Sequence, residues 1–341
     1  MGGHVKKRTL ALVGVVALVA ALALTVVSTG AAKRSADGTL KVALITDIGG
    51  LNDKGFNALA YKGLQDAQKK LGIDGRVFIS KSDADYIPNL STAVNQGYGL
   101  VIAVGFLMGD SLAAVAKRFP DTKFAIVDFP WVALKNKPMN ARGIIFAEQE
   151  AGCLAGVAAA KVSKTGTISS VGGLKIPAVD AFIAGYEFCS KRVNPQIKAS
   201  HDYSQDFVAQ DKCKEVALKQ MEGGSDVVFQ VAGGCGLGAL EGAKDNKVWG
   251  IGVDNDQGFL GPHVLTSATK KVDRGVFLTI QDTKAGRFKG GTDGLFNVKN
   301  GGVGYGKVSA TAPQRVSLIN LLGKWSKDIA AGTVKLPRTV K

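Results

Sequence analysis

The chain has 341 residues, 46% of them hydrophobic and 21% charged, with a formal net charge of +15. That apolar content excludes an intrinsically disordered chain, and the length suits two domains of ordinary size. The 44 glycines follow no G-X-Y repeat, which excludes collagen, and the single apolar stretch long enough to matter for a bilayer excludes a polytopic membrane protein.

That stretch opens the chain. Lys6, Lys7 and Arg8 precede an uncharged run of 18 residues, 10–27, and small residues follow at 28–32. This order reads as a secretory signal peptide over residues 1–32, with an uncleaved single-span anchor as the alternative. No cysteine follows the run, so no lipid anchor is expected there. Either way, the remainder is expected to work outside the cytoplasmic membrane. Loss of residues 1–32 removes three positive charges and leaves +12. The basic residues that remain are dispersed in pairs such as Lys69-Lys70 and Lys191-Arg192, without interleaved aromatics. They read as a solvated surface rather than a nucleic-acid face.

From residue 40 onward, apolar runs alternate with helical patterns. Strands are expected at 40–46, 76–80, 100–104, 123–128 and 143–147. Helices are expected through 56–71, 90–96 and 112–119. The cycle then restarts with a small-residue helix at 148–162. Strands follow at 167–171, 197–203, 227–231, 248–253 and 265–267, with helices through 179–186 and 213–221 between them. Such alternation predicts α/β architecture with parallel sheets and right-handed crossovers. The halves echo each other: Asp47 to Asp128 and Gly173 to Asp254 both span 81 residues, and both fourth strands end Val-Asp. Two similar lobes are therefore expected, the alternative being one large sheet.

Ligands of open parallel sheets bind beyond the carboxyl ends of the strands, and polar residues crowd there. In the first half these are Asp47, Asn52, Asp53, Asn57, Asp83 and Asp128, with Phe56 among them; in the second, Asp206, Asp254, Asp256 and Gln257, with Phe207 among them. Carboxylates and amides suit hydroxyl and heterocyclic N–H groups, and phenyl rings suit a flat base. Each has a plainer reading. Asp47, Asp128 and Asp254 could cap turns, Phe56 could belong to a core stripe, Asn57 could face solvent on a first helical turn, and Lys270 could be a solvated lysine. Phe207 lies in a polar loop that no apolar stripe claims.

Residues 47–57 (DIGGLNDKGFN) resemble the D-x-G-G-x-x-D-K-S-F-N signature of the basic membrane protein family, the nucleoside-binding components of ABC importers. Further blocks are similar to that family's: 150–156 (EAGCLAG), 228–238 (VFQVAGGCGLG), 251–257 (IGVDNDQ), 265–273 (LTSATKKVD), 301–305 (GGVGY) and 329–332 (IAAG). Together they cover roughly 40–337. The resemblance implies a non-catalytic receptor with two doubly wound parallel-sheet lobes and a hinge, like a type I periplasmic binding protein. The first lobe is expected over 40–148 plus about 264–298, and the second over 149–258 plus about 300–341. Hinge crossings are expected near 147–149, 255–264 and one later point.

Carried over by position, the resemblance places Asp47, Asn57 and Asp128 at a purine. Phe56 and Phe207 stack on its faces, and Asp254 and Lys270 meet the ribose hydroxyls. It implies a purine nucleoside ligand, a membrane permease as partner, a monomer and no cofactor. Gly55 stands where the family usually has Ser, and Asp206 where it usually has a small polar residue. Four cysteines in an exported chain favour disulfides, and a Cys213–Cys235 bridge fits the carboxyl edge of the second sheet, with two buried thiols as the alternative. Cys153 and Cys189 are then the remaining pair.

Other functions fit less well. Residues 109–112 (GDSL) spell an esterase signature, but neither His201 nor His263 stands in a D-x-x-H arrangement. The G-x-G-x-x-G of a nicotinamide site is absent after the first strand. A ligand sensor without a transporter would share the same fold.

Overall fold

The computed structural model describes Met1 and residues 38–340, so the leader expected over 1–32 lies, Met1 apart, outside the described residues. The first half runs β1 (Lys41–Ile45), α1 (Phe56–Leu71), β2 (Asp74–Phe78), α2 (Tyr86–Asn95), β3 (Leu100–Val104), α3 (Gly109–Arg118), β4 (Lys123–Val127) and β5 (Ala141–Phe146). The second runs α4 (Glu148–Val162), β6 (Thr167–Gly172), α5 (Pro177–Val193), β7 (Lys198–Tyr203), α6 (Gln210–Glu222), β8 (Val227–Val231), α7 (Gly236–Asp245), β9 (Trp249–Asp254) and β10 (Val264–Lys270). Then come α8 (Val272–Lys284), β11 (Thr292–Phe296), β12 (Val303–Tyr305) and α9 (Arg315–Ala330).

Two six-stranded sheets result, ordered β11-β5-β4-β3-β1-β2 and β12-β10-β9-β8-β6-β7. All pairings are parallel except β12 against β10. The first five strands of each half take the same order, so the expected two lobes are present. Strands β3 and β8 are buried along their whole length, as continuous apolar runs covered on both faces should be. Helix α1 turns Leu59, Ala60, Gly63, Leu64 and Ala67 inward. It stops at Gly72, whose φ of 61° provides the left-handed C-cap. Helices α4 and α5 pack backbone to backbone: a Cβ at Gly152 or Gly156 would lie 2.0 or 2.1 Å from the carbonyl of Phe182 or Tyr186.

Several expectations need correction. Strand β2 begins two residues earlier than predicted; it is an edge strand in register with β1 from Asp74, and Ile79 lies past its end, largely exposed. Lys270 does not follow its strand but closes it. The segment 264–298, expected in the first lobe, divides. Strand β10 pairs with β9 in the second sheet, while α8 packs on α1 and β11 pairs with β5 in the first. The link 255–263 therefore joins two strands of one sheet and is not a hinge crossing. The chain passes between lobes at 147, at 271 and over 297–302. Helices α7, α8 and α9 and strands β11 and β12 have no counterpart among the expected elements. The glycine-rich α7 has weak intrinsic helicity, and its fit is close: a Cβ at Gly238 would lie 1.9 Å from the Gln210 carbonyl.

Candidate functional site: a cleft between the strand tips

The carboxyl ends of both sheets border one cleft of about 610 Å³, its mouth included. The seven residues that the resemblance assigns to the ligand all line it: Asp47, Phe56, Asn57, Asp128, Phe207, Asp254 and Lys270. Of the other polar residues expected at the strand tips, Asp53 lines it, whereas Asn52, Asp83, Asp206, Asp256 and Gln257 do not.

The first wall begins where β1 ends. Asp53 caps α1: its carboxylate accepts from the backbone N–H of Gly55 (3.0 Å), Asn57 (2.7 Å) and Ala58 (3.1 Å). Asn57 is held between two acids. Its Nδ2 donates to Asp47 Oδ1 (2.7 Å) and Asp53 Oδ2 (3.2 Å), and its Oδ1 accepts from the Asp47 N–H (3.2 Å). Both donors of the Asn57 amide are thus engaged within the protein, where they fix the Asp47 carboxylate. Burial pushes Asp47 up to about 6, against the hydrogen bonds from Asn57 and Gly49; burial likewise raises Asp53.

The middle of the cleft has an internal two-fold pattern. Asp128 and Asp254 follow or close the fourth strand of each half, and both adopt the left-handed region, with φ of 65° and 61°. Such a conformation is costly for a residue with a Cβ and tends to persist at sites under functional constraint. Phe56, which opens α1, and Phe182, in the second turn of α5, stand at the same 126-residue offset. Lys270 stands among these four. Its Nζ donates to Asp128 Oδ2 at 2.6 Å and lies 3.8 Å from Asp254 Oδ1. It sits 4.8, 5.5 and 5.4 Å from the ring centres of Phe56, Phe182 and Phe146. Its side chain is 3% exposed, so this is no solvated lysine. A third acid, Glu148, places Oε1 3.9 Å from the same ammonium.

Burial alone would lower the Lys270 pKa, but Asp128, Asp254 and Glu148 together outweigh it and hold the ammonium charged above its ordinary range. Burial lifts Asp254 from 3.8 to about 7 and Glu148 from 4.5 to about 7, with Lys270 opposing in both cases. Asp128 Oδ1 and Asp254 Oδ1 are buried and have no hydrogen-bond partner among the described residues.

The opposite wall carries Phe207. A Cβ at Gly173 would lie 2.3 Å from its ring, and its carbonyl accepts from the Cys235 N–H at 3.0 Å. Cys235 is bonded to Cys213, and Cys153 to Cys189, so both expected pairs are present. The first bridge braces the Phe207 loop. Asp206 serves its own loop and does not line the cleft. It accepts from the N–H groups of Val208 and Ala209 and from Lys212, which hold its carboxyl at about 2. At Gly55 a Cβ would lie 3.7 Å from Asp254 Oδ2, so a serine there would stand beside that acid.

Sequence reasoning missed Phe106, Leu107 and Phe182 as lining residues and Glu148 as a partner of Lys270. Phe106 and Leu107 follow β3 directly, a position that marks a strand tip, but their apolar character hides them from a search for polar residues. Glu148 reads as an ordinary acidic first-turn residue. The GDSL serine, Ser111, lies in the first turn of α3 in the first lobe, whereas His201 on β7 and His263 ahead of β10 belong to the second. The cleft therefore offers acceptors, one ammonium and aromatic faces, without a nucleophile and base side by side.

Residues 40–336 match the family of PnrA-like ABC transporter substrate-binding proteins. The chain is 36% identical to the ABC transporter nucleoside-binding protein BmpA of Lactococcus lactis, over 97% of this chain and 99% of that protein. It is also 36% identical to basic membrane protein A1 of Borrelia garinii, over 78% and 79% of the two chains. Among solved structures, a solute-binding protein of an ABC transporter system from Aeropyrum pernix superposes with a TM-score of 0.79 at 24% identity, covering 89% of this chain and 94% of that one. The chain belongs to the basic membrane protein family of ABC transporter substrate-binding proteins, which are binding proteins and not enzymes.

Proposed function

We propose that this protein captures a nucleoside, a purine one, in the interlobe cleft and delivers it to an ABC permease from the outer face of the cytoplasmic membrane. The observation that carries this reading is the pair of buried oxygens, Asp128 Oδ1 and Asp254 Oδ1, that have no hydrogen-bond partner among the described residues and belong to the two acids beside the Lys270 ammonium. Carboxylate oxygens beside a fixed cation suit a guest rich in O–H and N–H donors. Phe56 and Phe207 supply apolar faces for its flat base, and Asp47, held by Asn57, accepts from it. Asp254 and Lys270 take the ribose hydroxyls, and Asp128 links Lys270 to the base side. The nucleoside-binding Lactococcus relative and the expected export segment agree with this assignment.

Calorimetry with adenosine, guanosine, inosine, their free bases and a set of sugars tests it. At least one purine nucleoside should bind, and Asp254→Asn should weaken it by at least about tenfold, as loss of a charged acceptor worth ~1.5–3 kcal/mol implies. Binding of a sugar with no response to any nucleoside refutes the assignment.

A further inference from the structure

We propose that Arg338, in the segment after α9, is a positioning residue for the ligand: it fastens the first interlobe crossing and sets Lys270 in place through Glu148. The inference rests on the reading of Lys270 as a ligand contact.

At the first crossing, Phe146 ends β5 in one lobe and Glu148 opens α4 in the other. The Arg338 guanidinium reaches both sides of it. One nitrogen donates to Gln149 Oε1 at 2.6 Å, the other to Glu148 Oε2 at 2.8 Å, and both approach the Phe146 carbonyl at 3.4 and 3.5 Å. A planar guanidinium holds these acceptors in a fixed, two-pronged geometry that the point charge of an ammonium does not reproduce.

The buried Glu148 then divides its carboxylate. Oε2 meets Arg338, while Oε1 faces Lys270 Nζ at 3.9 Å, outside hydrogen-bond range. Lys270 closes β10 immediately before the second crossing and gives its short contact, 2.6 Å, to Asp128. A line of alternating charges thus runs from the half-exposed Arg338 through Glu148 to Lys270 and the two cleft aspartates, touching two of the three crossings. Without Arg338, Glu148 keeps Lys270 as its nearest cation. The ammonium is then drawn toward Glu148 and away from Asp128 and the guest. Because Arg338 is 46% exposed along its side chain, its loss should register in affinity more than in stability.

The experiment compares the wild-type protein with Arg338→Gln, Arg338→Lys, Glu148→Gln and the double variant Arg338→Gln/Glu148→Gln. Calorimetry uses whichever of adenosine, guanosine or inosine the wild type binds. Arg338→Gln should weaken binding about fivefold or more, in the range of ordinary coupling between sites, and Arg338→Lys should restore it only in part. Once Glu148 is neutral, Arg338→Gln should change affinity by less than about twofold, since the two act through one path. Unchanged affinity in Arg338→Gln, or the same loss with and without the Glu148 carboxylate, overturns the proposal.

A ligand-free arm separates this from the nucleoside reading. Amide hydrogen exchange in Arg338→Gln should quicken at 145–150 and also at 270–274. Quickening confined to 145–150 overturns the coupling to Lys270. Absence of nucleoside binding by the wild type overturns the functional reading alone.

Discussion

Asn57 shows how one amide can set the chemistry of two acids. Its Nδ2 bridges Asp47 and Asp53, and it is 1% exposed. Asn57→Ala should leave both carboxylates without their shared donor, costing about 1–3 kcal/mol in a urea melt. Nucleoside affinity should fall as well, because Asp47 loses its fixed orientation; an unchanged binding isotherm would mean that Asp47 is held by other contacts. The acids at the strand tips were legible because each stands directly after or at the close of an apolar run. Their partnerships were not. Lys270 and Asp128 are 142 residues apart and meet only because β10 and β4 end at the same cleft. Position in sequence names the donors and acceptors, but the register of distant strands decides which of them pair.

The α4–α5 contact is the most extensive pairing of two helices among the described residues. A Cβ at Gly185 would lie 2.1 Å from the Gln149 carbonyl, which adds to the close approaches at Gly152 and Gly156. Gly156→Ala must push the two backbones apart and should destabilise the protein by about 1–3 kcal/mol or more, seen as a lower urea midpoint with an unchanged slope. The small-residue face of α4 was visible in the sequence because it repeats at helical spacing. Central strands were visible because burial on both faces leaves continuous apolar runs. Edge strands were marked unevenly: β7 stands where its alternating pattern predicts, the half-exposed β2 begins two residues before its predicted start, and β11 (TDGLF) has few apolar residues to mark it. Helix α7 was hidden because tertiary contact, rather than propensity, makes it helical.

Between the lobes, three crossings are tied to one another as well as to Arg338. The Ala147 N–H donates to the Phe296 carbonyl, the Val298 N–H to Glu150 Oε2 at 2.6 Å, and the Lys271 N–H to the Gly302 carbonyl. Any opening of the cleft must act on this bundle. The crossings were only partly legible, since nothing local distinguishes the link 255–263 within one sheet from the passage at 271 between two. The buried acids give this assembly an unusual pH response. Asp254 and Glu148 are held at about 7, so between roughly pH 4 and 7 the folded state keeps protons that the unfolded chain has lost. Their contribution to stability is full below their unfolded values and is lost as pH rises through about 7. The melting temperature of the ligand-free protein should therefore rise by at least ~3 °C from pH 8 to pH 6, and Asp254→Asn should flatten the rise. Nucleoside affinity should move the other way, falling below about pH 7 as Asp254 loses its charge; parallel trends would separate Asp254 from the ligand.

The two walls of the cleft repeat each other in part: Phe56 answers Phe182, and Asp128 answers Asp254, each at the same offset. Lys270, Asp47 and Asn57 have no twin: Phe146 closes β5 where Lys270 closes β10, and Gly173 and Ile183 stand 126 residues after Asp47 and Asn57. These unmatched groups give the chamber a head and a tail, so a guest between the lobes should seat in a single orientation.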